Sequence, residues 1–312
     1  MPVVIETESL TKYYGEVVGV ERLDMGVEEG EVFGFLGPNG AGKTTTMRLL
    51  MGLLFPTSGG ASVLGMDCWK ESVALKREIG YLPGEPTLYP RLTGEQHIRF
   101  IAGFNGGSEE GGTRLASRLE LETSRRARDC SRGMRQKLAL VLALMKNPGV
   151  LIMDEPTTAL DPLTQRVVYD VLAERREAGA TILFSSHNLA EVEKICDRVG
   201  IIRDGSLVAT ERIDELGAKR LHNVEVTFAG AVPDDIGTLP GVSEVRPETE
   251  SRLLLTYRGN INDLVGYLCR YTLADLAISH ASLEEVFLEY YGTGDAGDVT
   301  SGAEDGGGGG AS

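Results

Sequence analysis

Apolar and polar positions alternate over residues 3–10 and again over 17–27, with Tyr14-Gly15 as a turn between them. Side chains on a strand alternate faces, so the pattern predicts two half-buried strands that open an antiparallel layer. Residues 31–36 then run apolar and aromatic, residues 45–54 take a helical period, and a glycine-rich turn separates the two. Short strands follow at 62–64 and 79–82, joined by a helical stretch. From about 85 to 145 the pattern is a glycine-interrupted helical insertion, with 106–112 read as an exposed loop and 138–145 as a buried helix segment. Strand patterns resume at 150–154, 181–185 and 199–203 with helices between them, the order that builds a parallel α/β core.

The character changes near 216–222. Residues 224–228, 242–245 and 253–257 read as strands and 260–271 as a helix. Ser282-Leu-Glu-Glu285 is a capping box, and Leu283, Val286, Phe287 and Tyr290 give the following helix one apolar face. The expected division is a first domain over 1–217, a small α+β accessory domain over 218–291, and a tail over 292–312. The tail has almost no apolar residue and ends in a glycine run, so it cannot bury enough surface to offset its ordering entropy and is expected to be disordered.

Of the 312 residues 42% are hydrophobic and 25% charged, ordinary values for a globular chain. No apolar run approaches the length of about 18 residues that spans a bilayer, and the N-terminal residues lack a basic region followed by an apolar one. A cytosolic protein is expected. The net charge of −15 argues against a nucleic-acid surface and suits a high-salt solvent that screens self-repulsion. Cys68, Cys130, Cys196 and Cys269 have no paired spacing, so they are expected to be reduced packing residues.

The glycine-rich turn is where chemistry enters. Gly37-Pro38-Asn39-Gly40-Ala41-Gly42-Lys43-Thr44 follows the pattern G-x-x-x-x-G-K-[ST] between a strand and a helix, which makes it a phosphate-binding loop. Its glycines allow backbone N–H groups to converge on phosphate oxygens at the positive end of the helix. Lys43 is placed to bridge the β- and γ-phosphates, Thr44 to offer its hydroxyl to Mg²⁺, and Thr45 to add a donor. Residues 150–154 form an apolar strand that ends in Asp154-Glu155, a carboxylate for Mg²⁺ and one to polarise a water.

Cys130-Ser131-Arg132-Gly133-Met134-Arg135-Gln136, about twenty residues before those carboxylates, resembles the signature segment of ATP-binding cassette ATPases, with departures at Cys130, Arg132 and Met134. As a local feature Ser131 is also a helix cap. Thr158-Ala-Leu-Asp161 resembles that family's D-loop and Ser185-Ser186-His187 its switch histidine, while Tyr14 matches the aromatic that stacks on adenine. One departure is Gly84, in Tyr81-Leu-Pro-Gly84-Glu85, where the family usually presents glutamine. The resemblance spans about residues 3–217, and the C-terminal part looks like the extension of an export-type subgroup.

The resemblance implies a P-loop NTPase core that binds ATP and Mg²⁺ and hydrolyses ATP, with Lys43, Glu155 and His187 catalytic. Thr44 and Asp154 would hold the metal, and Ser131 and Gly133 would cap the nucleotide of a second copy or a homologous subunit. It also implies a separate membrane permease, docked near residues 88–90, and a site of action on the cytoplasmic face of the membrane. The alternative is a soluble cassette ATPase acting on ribosomes or DNA, although the chain carries one cassette and only a short insertion.

Overall fold

The computed structural model describes residues 2–105, 107–218 and 222–280. The chain divides into two compact units, Met1–Glu215 and Leu216–Ser312. In the first, the elements run β1 (Val3–Tyr14), β2 (Val17–Glu28), β3 (Val32–Leu36), α1 (Lys43–Leu50), β4 (Ser58–Val63), β5 (Met66–Asp67), α2 (Ser72–Glu78) and β6 (Ile79–Leu82). The helical segment α3 (Gly94–Asn105), α4 (Glu109–Arg118) and α5 (Arg132–Leu144) follows. Then come β7 (Val150–Asp154), α6 (Pro162–Glu177), β8 (Thr181–Ser186), α7 (Leu189–Ile195), β9 (Arg198–Arg203) and β10 (Ser206–Arg212), and α8 (Ile213–Ala218) begins in this unit and ends in the next.

Two sheets form this unit. One is antiparallel in the order β2-β1-β4-β5, and the other has the order β10-β9-β3-β8-β7-β6, parallel except for the edge strand β10. Every residue of β3, β7 and β8 is buried, which explains why these strands read as continuous apolar runs rather than alternations. Phe33, Phe35, Val150, Ile152 and Leu183 of the parallel sheet share a core with Met47, Leu49 and Leu50 of α1 and with Ile5, Leu10, Val20 and Leu23 of the antiparallel sheet. On α7, Val192 comes so close to β3 that a Cβ at Gly34 would lie 2.7 Å from its methyl, so the strand needs glycine there.

The register places the chemistry. Leu36 of β3 pairs with Ser186 of β8, and Asp154 of β7 pairs with Ser185. The turns after β3, β7 and β8 therefore leave the sheet at one carboxyl edge, where α/β sheets bind ligands.

Three expectations need correction. Residues 109–112 belong to α4 rather than to a loop: Ser108 accepts a hydrogen bond from Gly111 N at 3.0 Å and caps the helix, and Glu109 and Glu110 favour its positive end. Helix α1 stops at Leu50 instead of residue 54, and Gly52 takes a left-handed φ of 59° just beyond it. Cys269 is exposed at the end of a helix, whereas Cys68, Cys130 and Cys196 are buried as expected.

The second unit contains β11 (His222–Phe228), β12 (Val242–Pro247), β13 (Arg252–Tyr257), α9 (Ile261–Leu268) and β14 (Leu273–His280), its strands forming an antiparallel sheet of order β12-β13-β11-β14. Val224, Val226, Leu253 and Leu255 form one buried face with Leu264, Tyr267 and Leu268 of α9, and Asn260 caps that helix. The capping box at Ser282 and the expected tail lie outside the described residues.

Candidate nucleotide site

Between β3 and α1 the phosphate loop depends on two close approaches. A Cβ at Gly37 would sit 2.3 Å from the Ile202 carbonyl oxygen, and one at Gly42, whose φ is 109°, would sit 2.5 Å from the Gly19 carbonyl. Only glycine fits at either place. Because α1 begins at Lys43, the N–H groups of its first turn have no intrahelical acceptor and are free for an anion.

The loop borders a cleft of about 280 Å³ lined by Tyr14, Val17, Val18, Gly19, Asn39, Gly40, Gly42, Lys43, Thr44, Thr45 and Glu155. Lys43 is only 5% exposed and donates to the carbonyls of Gly37 at 2.6 Å and Pro38 at 3.1 Å. Its Nζ lies 3.6 Å from Glu155 Oε1. Burial pushes the ammonium pKa down, against the Glu155 and Asp154 charges that push it up. Lys43 is thus a desolvated cation held by acceptors that an incoming phosphate can outcompete. Gly37, Pro38 and Ala41 form the frame of the loop rather than the cleft wall, and Ala41 is buried.

The carboxylates part company at the end of β7. Asp154 is buried, and its Oδ1 accepts from Ser185 Oγ at 2.6 Å, while Oδ2 has no hydrogen-bond partner. A buried anionic oxygen left open in this way suits a hard cation or its water. Glu155 has a left-handed φ of 47°, a strain of about 1–3 kcal/mol for a residue with a side chain. That turn is pinned by Ser185 Oγ, which accepts from Glu155 N at 3.0 Å, and by Thr158, which donates to Glu155 Oε2 at 3.0 Å. Glu155 Oε1 lies 3.1 Å from His187 Nδ1. Burial pushes the Glu155 carboxyl up, but hydrogen bonds from His187 and Thr158 and the charges of His187 and Lys43 outweigh it and hold the carboxyl below its usual value. At neutral pH it is an ionised acceptor.

Tyr14 borders the cleft and is 45% exposed, and Lys12 Nζ lies 5.4 Å from its ring centroid. Gly19 leaves room for that ring, since a Cβ there would be 2.8 Å from Tyr14 Cε2. Ser131, Gly133 and Asp161 stand apart from the lining. Ser131 is exposed and caps α5 through Met134 N at 3.2 Å, and Gly133 lies against the Ala159 carbonyl. Gln136, which closes the signature segment, is buried and donates to the Pro156 carbonyl at 3.0 Å. The role of Ser185 emerges only here, because its hydroxyl joins residues about thirty positions apart in the chain, and so does that of Gly19, which no motif singled out.

Asp161 caps α6, accepting from Thr164 N at 2.9 Å and from the Thr164 hydroxyl at 2.7 Å, with Pro162 in the first turn. The Thr164 hydroxyl and backbone bonds hold its carboxyl below the ordinary value. A depressed folded-state pKa stabilises above the unfolded value of about 3.9 and loses that contribution as pH falls through the lower folded value. Asp161→Ala is therefore expected to lower the melting temperature by a few degrees at pH 7, with a gap from the unmodified chain that narrows below about pH 4. Melting curves across that range check it.

Known proteins resemble the chain in sequence and in fold. The family model described as "ABC transporter" matches residues 20–158. A probable multidrug ABC transporter ATP-binding protein of Escherichia coli is 39% identical over 226 residues; the match takes in 70% of this chain but only 39% of that protein's length. The linearmycin resistance ATP-binding protein of Bacillus subtilis is 32% identical over 308 residues, covering 93% of this chain and 98% of the relative. A solved ATP-binding subunit of an ABC transporter superposes with a TM-score of 0.63 at 33% identity, over 68% of this chain and 91% of that one. Matched along nearly its whole length by a relative 32% identical to it, the chain belongs to the ABC transporter family.

Proposed function

We propose that two copies of this chain, or one copy and a homologous subunit, sandwich ATP and drive a separate membrane permease that exports its cargo. The observation that carries this reading is the split of the site. Lys43 and Glu155 share one cleft, whereas Ser131 and Gly133 stand at an exposed helix start outside its lining. Facing copies would bring the Ser131 segment of one to the phosphate loop of the other, a two-fold arrangement that closes when the γ-phosphate is present and reopens after hydrolysis.

Within each copy Tyr14 would stack on the base, the 37–45 loop would cradle the phosphates, and Lys43 would neutralise their charge. Asn39, Gly40 and Thr45 would add donors, and Asp161 would sit at the interface between copies. Thr44 and Asp154 would hold Mg²⁺, which supplies charge stabilisation at the phosphates. Glu155 would accept a proton from the attacking water, and His187 would orient Glu155 and contact the γ-phosphate.

The first unit is read as the nucleotide-binding domain and the second as an accessory domain. A groove of about 340 Å³ bordered by Leu53, Tyr81, Pro86, Leu88, Ile101 and Leu142, beside exposed Tyr89, Phe100 and Phe104, supports permease docking near residues 88–90. No helix among the described residues is long and apolar enough to cross a membrane. Attachment at the cytoplasmic face would therefore come through the permease.

Affinity purification of the tagged chain from native membranes is expected to recover an integral membrane protein in stoichiometric amount. Recovery with ribosomes or DNA in its place would overturn the transporter reading.

A further inference from the structure

Glu191 is a buried carboxylate, 8% exposed, and no ion pair compensates it among the described residues. It occupies the third position of α7, from which a glutamate commonly turns back to the N–H of the capping residue. Here that N–H, of Asn188, donates to Ser186 Oγ at 2.9 Å instead, and Glu191 points inward. Its Oε2 accepts from Ser186 Oγ at 2.7 Å and its Oε1 from Thr157 Oγ1 at 2.8 Å. Thr157 and Ser186 are 3% and 2% exposed, so water does not compete for these bonds. Tyr169 of α6 is the third hydroxyl beside it: burial, then the Glu191 charge and the hydrogen bond to it, push that phenol up.

The two main donors belong to the turns that carry the chemistry. Thr157 follows Glu155 by two residues, and Ser186 immediately precedes His187. Glu191 thus ties together, from behind, the two turns whose front sides meet at the Glu155–His187 contact of 3.1 Å. A charged acceptor with two short hydroxyl donors holds its geometry better than neutral pairs do.

We propose that Glu191 is a positioning residue for ATP hydrolysis, its carboxylate clamping the Glu155 turn to the His187 turn. The proposal rests on the reading that Glu155 and His187 act together at the γ-phosphate. A carboxylate with two oxygens can serve both hydroxyls at once. Alanine serves neither, and glutamine keeps one acceptor while its amide can donate to a hydroxyl that reorients.

The experiment measures kcat, KM and equilibrium ATP affinity for the full chain and for E191A, E191Q, T157V, H187A and E191A/H187A. E191A is expected to lose about tenfold in kcat with ATP affinity held within about twofold, E191Q to recover to within about threefold of the unmodified chain, and T157V to lose about threefold. Because Glu191 acts through the pair, adding E191A to H187A should cost less than about twofold more. An unchanged kcat in E191A overturns the proposal, as does a full tenfold loss repeated on the H187A background. If E191A does not fold, T157V decides, since a folded T157V with unaltered kcat overturns the proposal equally. An H187A variant with undiminished kcat would sink the underlying reading and the clamp with it, whereas a slow H187A beside a normal E191A sinks the clamp alone.

Discussion

Glu155→Gln is expected to bind ATP but hydrolyse it at least about tenfold more slowly, leaving an ATP-stabilised dimer. The amide keeps the shape of the carboxylate and can still meet Thr158, which donates to Oε2 at 3.0 Å, but it cannot take up a proton at neutral pH. The turn itself should survive, because Ser185 holds it through the backbone N–H of Glu155. Binding should survive too, since the phosphate loop is untouched, and removing a negative charge 3.6 Å from Lys43 leaves the cleft more attractive to an anion. Turnover assays paired with sedimentation in the presence and absence of ATP check both halves. Rapid turnover with no ATP-dependent dimer would remove the sandwich mechanism.

Lys43→Ala is expected to weaken ATP binding by at least about tenfold, an effect of about 1.4 kcal/mol or more. The ammonium is nearly inaccessible to solvent, and its partners are two carbonyls and a carboxylate. Removing it strips the cleft wall of its cation and leaves Glu155 facing the incoming phosphates with less compensation. Lys43→Met keeps most of the volume and should lose the same affinity, which separates charge from packing. Calorimetric titration with ATP checks the pair, and affinity unchanged in both variants would refute the assignment.

Much of this architecture was legible in the chain, for reasons particular residues make plain. The fully buried strands β3, β7 and β8 announced themselves because both faces are covered, and the phosphate loop because its function is local in sequence. Three strands were not foreseen. The two-residue β5 pairs only with β4, the half-exposed β10 pairs with β9 alone, and β14 carries exposed Ala274, Asp275, Ala277 and Ser279 beside its apolar positions. Such strands are defined by their neighbours more than by their own pattern. Helix α4 was hidden by Gly111 and Gly112, the second of which is buried so closely that a Cβ there would lie 2.7 Å from Ile98. Within the site the turns were visible and the ties between them were not. Ser185 reaches Asp154 across 31 residues and Glu191 reaches Thr157 across 34, separations that no motif spacing encodes.

Strands β6 and β7 lie side by side at the edge of the parallel sheet, Ile79 opposite Val150 and Leu82 opposite Met153. Helices α3, α4 and α5 between them amount to an oversized crossover whose two ends are anchored in adjacent strands. Extending such an excursion costs little, because closure entropy grows only with the logarithm of length. Evolution can therefore resize or resurface this module without disturbing the sheet edge that holds the phosphate loop, like changing an adaptor on a motor while the combustion chamber keeps its dimensions.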